Sequence, residues 1–151
     1  MNKKIYSYFG LAAVIFIVDR VTKMMALAYC AEDVCRINSF LSFELVFNRG
    51  ISWGILHSAS DLVFVLVSLI IAMVTALLCW SAYYNYVCGV PIVAEMLIIA
   101  GSIFNLIDRV IYGGVIDFIV LSYGNVSWPV FNIADAAIVL GVGMLIFQYE
   151  K

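Results

Sequence analysis

Long runs of apolar residues, each near the thickness of a bilayer, restrict this chain more than any other feature. A helix needs about 20 consecutive apolar residues to cross the hydrocarbon core. Such runs extend from about Tyr6 to Tyr29, Leu62 to Trp80, Pro91 to Ile111 and Asn132 to Tyr149. Hydrophobic residues make up 66% of the 151 and charged ones 12%, against roughly a quarter charged in an ordinary soluble domain. No soluble core of this length hides that much apolar surface. Backbone polar groups in lipid must be satisfied within the segment, so each run is expected to be a helix. The predicted fold is an all-α membrane protein, a bundle of four transmembrane helices. A small extracytoplasmic β or loop element lies between the first and second, and residues 1–151 form one domain.

The loops are unequal. Cys30 to Asp61 is long, Tyr83 to Val90 is short, and Tyr112 to Phe131 is intermediate. Within the long loop, Phe40 to Phe47 is partly alternating and rich in Phe, Leu and Val, which predicts one or two strands on the membrane surface. Lys3 and Lys4 precede the first run as they would a secretory signal, but no small-x-small cleavage site follows, so the run is read as a retained span. Those lysines and Lys151 are what the positive-inside rule can weigh, and they place both termini in the cytoplasm.

Other chemistries find little support. A net charge of −2 provides no basic patch for nucleic acid. Of the four cysteines, Cys30 and Cys35 could form a local bridge, whereas Cys79 and Cys88 lie beyond the second span. Leu27-Ala28-Tyr29-Cys30 has the outline of a lipid-attachment box, but bulky Tyr29 spoils it, and Cys30 reads as an ordinary thiol. The single histidine, His57, cannot build a His-Glu-x-x-His zinc site or support a serine nucleophile with ease, and no metal or cofactor is expected. A Ser-Lys pair would have to recruit Lys23, already matched to Asp19.

The polar residues inside the spans carry the functional argument, because a charge near the bilayer centre costs about 2.5–3.5 kcal/mol on insertion scales. Asp19 and Lys23 are spaced i,i+4 and read as a structural ion pair on one face, with Arg20 pointing elsewhere. If the two only offset each other, replacing both by apolar residues should restore whatever stability a single replacement loses. In the third span Gly101, Asn105 and Arg109 form one stripe with Asp108 beside it, a face that must look inward. Asp117 follows Gly113-Gly114 within Val115-Ile116-Asp117-Phe118-Ile119, where apolar surroundings should raise its pKa. Asn132 can cap the fourth helix, and Asp135 lies one turn inside it. Ala134, Ala137 and Gly141 permit close helix approach.

Four spans bring the end of the third and the start of the fourth to one membrane face, so Asp117 and Asp135 meet at the outer boundary, near Asn48-Arg49-Gly50. Two carboxylates in a partly apolar site share one proton, the arrangement of an aspartic hydrolase. A small carrier or proton relay uses the same residue types and is the alternative, although no inverted repeat supports it. A purely structural subunit would not need two converging carboxylates.

Five blocks together carry a family resemblance: Asp19-Arg-Val-Thr-Lys23, Asn48-Arg-Gly-Ile-Ser-Trp-Gly54, Gly101 to Arg109, Gly114-Val-Ile-Asp117-Phe-Ile119 and Phe131-Asn-Ile-Ala-Asp135-Ala-Ala-Ile138. In order and spacing the chain resembles the bacterial lipoprotein signal peptidases, the signal peptidases of the second type, over nearly its whole length. The resemblance implies an aspartic endopeptidase of the bacterial cytoplasmic membrane with Asp117 and Asp135 as its dyad. Such an enzyme cleaves lipid-modified prolipoproteins before the diacylglyceryl cysteine, works among membrane lipids, and is blocked by globomycin-type inhibitors. It further implies that Asn48, Gly50, Gly54, Asn105, Asp108, Arg109, Asn132 and Ala134 shape the site or bind substrate, while Asp19 and Lys23 brace it. The loop departs from the family pattern at Ser52 and Trp53, where alanine and phenylalanine are usual.

Overall fold

The computed structural model describes residues 3–50, 60–124 and 126–149. Ser52, Trp53, Gly54 and His57 lie outside the described residues. Four helices form where the apolar runs stand: α1 (Lys3–Tyr29), α2 (Asp61–Val87), α3 (Val93–Tyr112) and α4 (Ile133–Tyr149). The short strands β1 (Cys35–Arg36) and β2 (Leu41–Asn48) precede α2, and β3 (Val115–Tyr123) and β4 (Val126–Ser127) lie between α3 and α4. Helix α2 runs past the predicted Trp80 through three tyrosines to Val87, ending before Gly89, whose φ of 78° few other residues adopt.

The expected β element is larger than predicted and is not confined to the α1–α2 loop. The four strands form one antiparallel sheet in the order β1-β2-β3-β4, so the segment read as a loop after α3 supplies a central strand. Val115 to Phe118 are all buried, on both faces of the strand. Such a strand reads as a continuous apolar run with no alternation to betray it. In the β2–β3 register Asn48 lies opposite Val115 and Val46 opposite Asp117, with an irregularity between Phe43 and Val46. Phe131 then bridges Ile119, fixing the entry to α4 against the sheet.

Helix α3 is central and packs against α1, α2 and α4. Its contact with α4 depends on two glycines. A Cβ on Gly101 would collide with the Ala134 carbonyl oxygen, and one on Gly141 would lie 2.7 Å from the Ala94 carbonyl oxygen. The helix stops at Gly113, whose φ of 68° is left-handed and whose N–H donates to the Arg109 carbonyl at 3.1 Å.

Polarity is distributed in reverse of a soluble protein. Asp19, Lys23, Asp108, Asp117 and Asn132 are among the largest fully buried side chains, whereas Val, Leu, Ile, Met and Phe cover the outside of the helices. The Lys23 Nζ lies 2.8 Å from Asp19 and 2.7 Å from Asp108, and donates to Asn105 Oδ1 at 3.1 Å. Arg20, expected to point elsewhere, instead pairs with the other oxygen of Asp108 at 2.8 Å. Asp19 Oδ1 accepts the backbone N–H of Ala134 at 3.0 Å, satisfying one of the free donors that open α4. The pair predicted in α1 is therefore part of a cluster joining α1, α3 and α4.

Two outcomes follow for stability in detergent or membranes. Gly101→Val should lose about 1–3 kcal/mol or more from forced overpacking, while Gly10→Ala, where nothing lies within 4 Å, should be neutral in thermal unfolding. Lys23→Met should lower folded abundance by an amount corresponding to about 3–5 kcal/mol. Unlike the expectation for an isolated pair, adding Asp19→Leu should not restore it, because Asp108 still lacks Lys23 and the Ala134 N–H has lost its acceptor. Full recovery in the double variant would show that the cluster contributes nothing beyond the pair.

Candidate active site

The start of α4 sets the geometry. Asn132 precedes the helix, and its Oδ1 accepts the Asp135 backbone N–H at 2.8 Å while Asp135 Oδ2 accepts the Asn132 N–H at 3.2 Å. This reciprocal cap uses an aspartate where a glutamate is more usual. It fixes Asp135 one turn into the helix and directs the Asn132 amide inward. That amide donates to Asp117 Oδ1 at 2.6 Å, and lies within 3.2 Å of Asn105 Oδ1 and 3.3 Å of the Ile116 carbonyl.

Asp117 is held from its other side by β2. Asn48, at the end of that strand, donates Nδ2 to Asp117 Oδ2 at 2.9 Å and accepts the Gly50 N–H with its own oxygen, also at 2.9 Å. Asn105 donates to Asp135 Oδ1 at 2.8 Å while its oxygen receives Lys23. Three asparagines thus orient two carboxylates, which an amide suits because it offers donors and an acceptor together.

Asp117 and Asp135 line one cleft of about 280 Å³ with Asn48, Gly50, Asn105 and Arg109, and Ile70, Val74 and Ile138 provide apolar wall. Burial first, and then the charge of Asp135, push the Asp117 carboxyl up to about 7. The amides of Asn48 and Asn132 and the charge of Lys23 act in the opposite direction. Two carboxyls that cannot readily ionise together are suited to exchanging one proton.

Arg109 closes the other side of the cleft. It donates to the backbone carbonyls of Arg49, at 3.3 Å, and Gly50, and so anchors the chain just after Asn48. Phe64 of α2 lies under both guanidinium groups, 4.9 Å from Arg49 and 5.5 Å from Arg109. Its role was not legible in an apolar helix full of similar residues.

The structure brings Asn48, Gly50, Asn105, Arg109, Asn132, Asp117 and Asp135 together. Asp108 and Ala134 sit one layer behind, in the Lys23 cluster, and contact the site through Ile116, whose N–H lies 3.4 Å from Asp108, and through the α4 cap. Arg20 belongs to that layer and had no signal of its own beyond a cation in an apolar span.

The family model described as signal peptidase (SPase) II matches residues 11–150. A lipoprotein signal peptidase of Thermodesulfovibrio yellowstonii is 31% identical, covering 100% of this chain and 99% of the relative. One of Aquifex aeolicus is 36% identical over 99% and 89%. Two solved structures described as bacterial membrane enzymes superpose with TM-scores of 0.76 and 0.74 at 28% and 27% identity. They cover 96% and 97% of this chain and 88% and 94% of theirs. With its architecture shared and its sequence matched almost from end to end, the chain belongs to the signal peptidase II family.

Proposed function

We propose that the chain is one integral membrane domain crossing the cytoplasmic membrane four times. In this reading Asp117 and Asp135 form an aspartic dyad at the extracytoplasmic boundary. The protein is a peptidase that removes signal peptides from prolipoproteins. The observation that supports the dyad is the pair of carboxyls held on one cleft by three asparagines.

Among the described residues, α2 alone is long and apolar enough to cross a membrane by length and composition, and Ile133–Gln148 is a shorter apolar helix. The four-span reading rests on where the remaining charges are. Asp19, Arg20, Lys23, Glu95, Asp108 and Arg109 lower the apolarity of α1 and α3, but all except the half-buried Arg20 are buried, and they meet one another, Asn85 or backbone. The outer faces of those helices carry Phe9, Val14, Ile17, Val21, Val110 and Ile111 to the surface. Charges paired inside a bundle do not meet lipid.

In the reaction the carboxyl holding the shared proton polarises the scissile carbonyl, and its ionised partner takes a proton from the attacking water. Proton return to the departing amine regenerates the singly protonated pair. Asn48 and Asn132 hold Asp117 while charge moves, and Asn105 holds Asp135. The loop carbonyls fixed by Arg109 line the approach of the peptide. A lipidated precursor can keep its acyl chains in the bilayer while the peptide enters the cleft beside α2.

Asp117→Asn and Asp135→Asn should each abolish cleavage of a lipidated precursor in proteoliposomes while the protein still inserts. The loss should exceed the about 10²–10⁴ of one acid or base. Near-normal turnover in either variant would remove the dyad, and proton flux without cleavage would favour a carrier. Globomycin should block wild-type cleavage.

The pH profile should be a bell belonging to the pair. Activity falls as pH rises through about 7, where Asp117 gives up its proton, and falls again at low pH when both carboxyls are protonated. EDTA should leave both limbs in place, and zinc-reversible inactivation by EDTA would overturn the two-carboxylate mechanism. Stability follows the same group. The folded carboxyl binds its proton more tightly than the unfolded one, so its contribution is complete below the ordinary value of about 3.9. That contribution is lost as pH rises through about 7. Asp117→Asn should flatten the thermal midpoint across that window, and an unchanged slope would place the titration elsewhere.

A further inference from the structure

A second group of reactive side chains lies where α1 meets the sheet. Cys30 follows the last residue of α1 and is buried, and Cys35 opens β1 and is half-buried. Their backbones are separated by the bend at residues 30–33, yet the chain doubles back. The Cys35 Sγ lies 3.3 Å from the Tyr29 carbonyl oxygen, the group bonded directly to the Cys30 nitrogen. Both cysteines line one small apolar cavity of about 270 Å³, walled by Met25, Ala26, Phe43 and Phe118. Both are free thiols, and the remaining cysteines, Cys79 and Cys88, are exposed at the far end of α2.

We propose that Cys30 and Cys35 are a redox-active thiol pair that a disulfide-bearing thiol oxidoreductase closes to a disulfide, fastening the end of α1 to the first strand of the sheet. The inference rests on the orientation proposed above, which puts the sheet outside the cytoplasm, where disulfides persist. It uses no residue of the dyad.

The chemistry balances as two exchanges. The half-buried Cys35 thiolate attacks the oxidant's disulfide, forming a mixed disulfide and releasing one oxidant thiol. The buried Cys30 sulfur then attacks the Cys35 sulfur, its proton leaves to solvent, and the second oxidant thiol departs. The protein loses two electrons and two protons, and the oxidant is reduced to its dithiol. Burial, with the neighbouring Cys35, raises the Cys30 thiol to about 11, so Cys30 is a poor first nucleophile and Cys35 is the entry point.

Closure would matter to the site through β2. Cys35 pairs with Phe43, and β2 ends at Asn48, whose amide holds Asp117. A bridge between residues 30 and 35 restrains the sheet at the opposite end of that strand.

The test uses the full-length protein as Cys79→Ser/Cys88→Ser, reconstituted in sealed right-side-out vesicles. After reduction, a membrane-impermeant maleimide should label Cys35 from outside. Labelling only after detergent is added would overturn the orientation on which oxidation depends. Incubation with oxidised glutathione, followed by acid quenching and intact mass measurement, should give a protein lacking two hydrogens and no longer reactive to maleimide. Cys30→Ser, which keeps the half-buried Cys35, should instead retain glutathione as a stable adduct, whereas Cys35→Ser, which keeps only the buried Cys30, should stay largely unmodified. If the parent also accumulates glutathione on both sulfurs, or stays reduced while a single-cysteine variant is modified, the sulfurs do not form a pair, whatever the fate of the dyad. Cleavage by the bridged protein should persist, with its thermal midpoint raised by several degrees relative to the reduced form.

Discussion

The Lys23 ammonium is the contact on which the rest of the interior depends. It reaches Asp19 within its own helix and Asp108 and Asn105 in α3, and each partner extends the network. Asp19 satisfies the Ala134 N–H at the head of α4. Asp108 binds Arg20 and lies beneath Ile116 at the start of β3. Asn105, with its oxygen occupied by Lys23, turns its amide to Asp135. A buried ion pair is often no more stable than an apolar replacement. Its value here is positional, because one cation fixes the rotamers of three residues on two helices and, through them, the head of a third.

Geometry then passes from charges to amides. Asn105 stands between the ionic cluster and Asp135, while Asn132 and Asn48 hold Asp117 from two sides, each using opposite ends of one planar group. Asn132 caps with its oxygen and donates with its nitrogen, and Asn48 does the same between Gly50 and Asp117. A hydroxyl or carboxyl in these places would leave one contact unmade or add a charge. The site is therefore assembled from groups that cannot titrate, and the proton equilibrium is left to Asp117 and Asp135.

What the sequence reveals depends on the range of the interaction. Apolar runs and the i,i+4 spacing of Asp19 and Lys23 are local, so the helices and that pair were legible, as was the Asn132 cap with Asp135 three residues on. β3 was not. Its run is buried on both faces and has no period, and its partner strand is far away in sequence, with Asn48 and Asp117 69 residues apart. Arg20 was misplaced for the same reason, since Asp108 is 88 residues distant and helical periodicity within α1 gives no hint of it. The convergence of Asp117 and Asp135 could still be anticipated, because counting spans assigns both to one face without knowledge of a contact. The predicted end of α2 was short because hydropathy reports where apolar side chains thin out, whereas the backbone stays helical to Val87 until glycine intervenes.

Charge balance ties the cluster to the chemistry. Asp19 and Asp108 are matched by Lys23 and Arg20, so the layer behind the two carboxyls is neutral as a unit, although the charge of Lys23 acts on Asp117. Arg109 is different. It faces the cleft, its charge is felt by both Asp117 and Asp135, and its own hydrogen bonds go to neutral backbone carbonyls. One cation against a pair holding one proton is again neutral. Removing the second proton leaves a net negative charge in a poorly solvated cleft, and adding another leaves a net positive one, so both changes cost desolvation energy that the singly protonated state avoids. Arg109 thus has two tasks that need the same guanidinium. It clamps the loop after Asn48, and in the mechanism proposed above its charge balances a cleft whose two carboxyls share one proton.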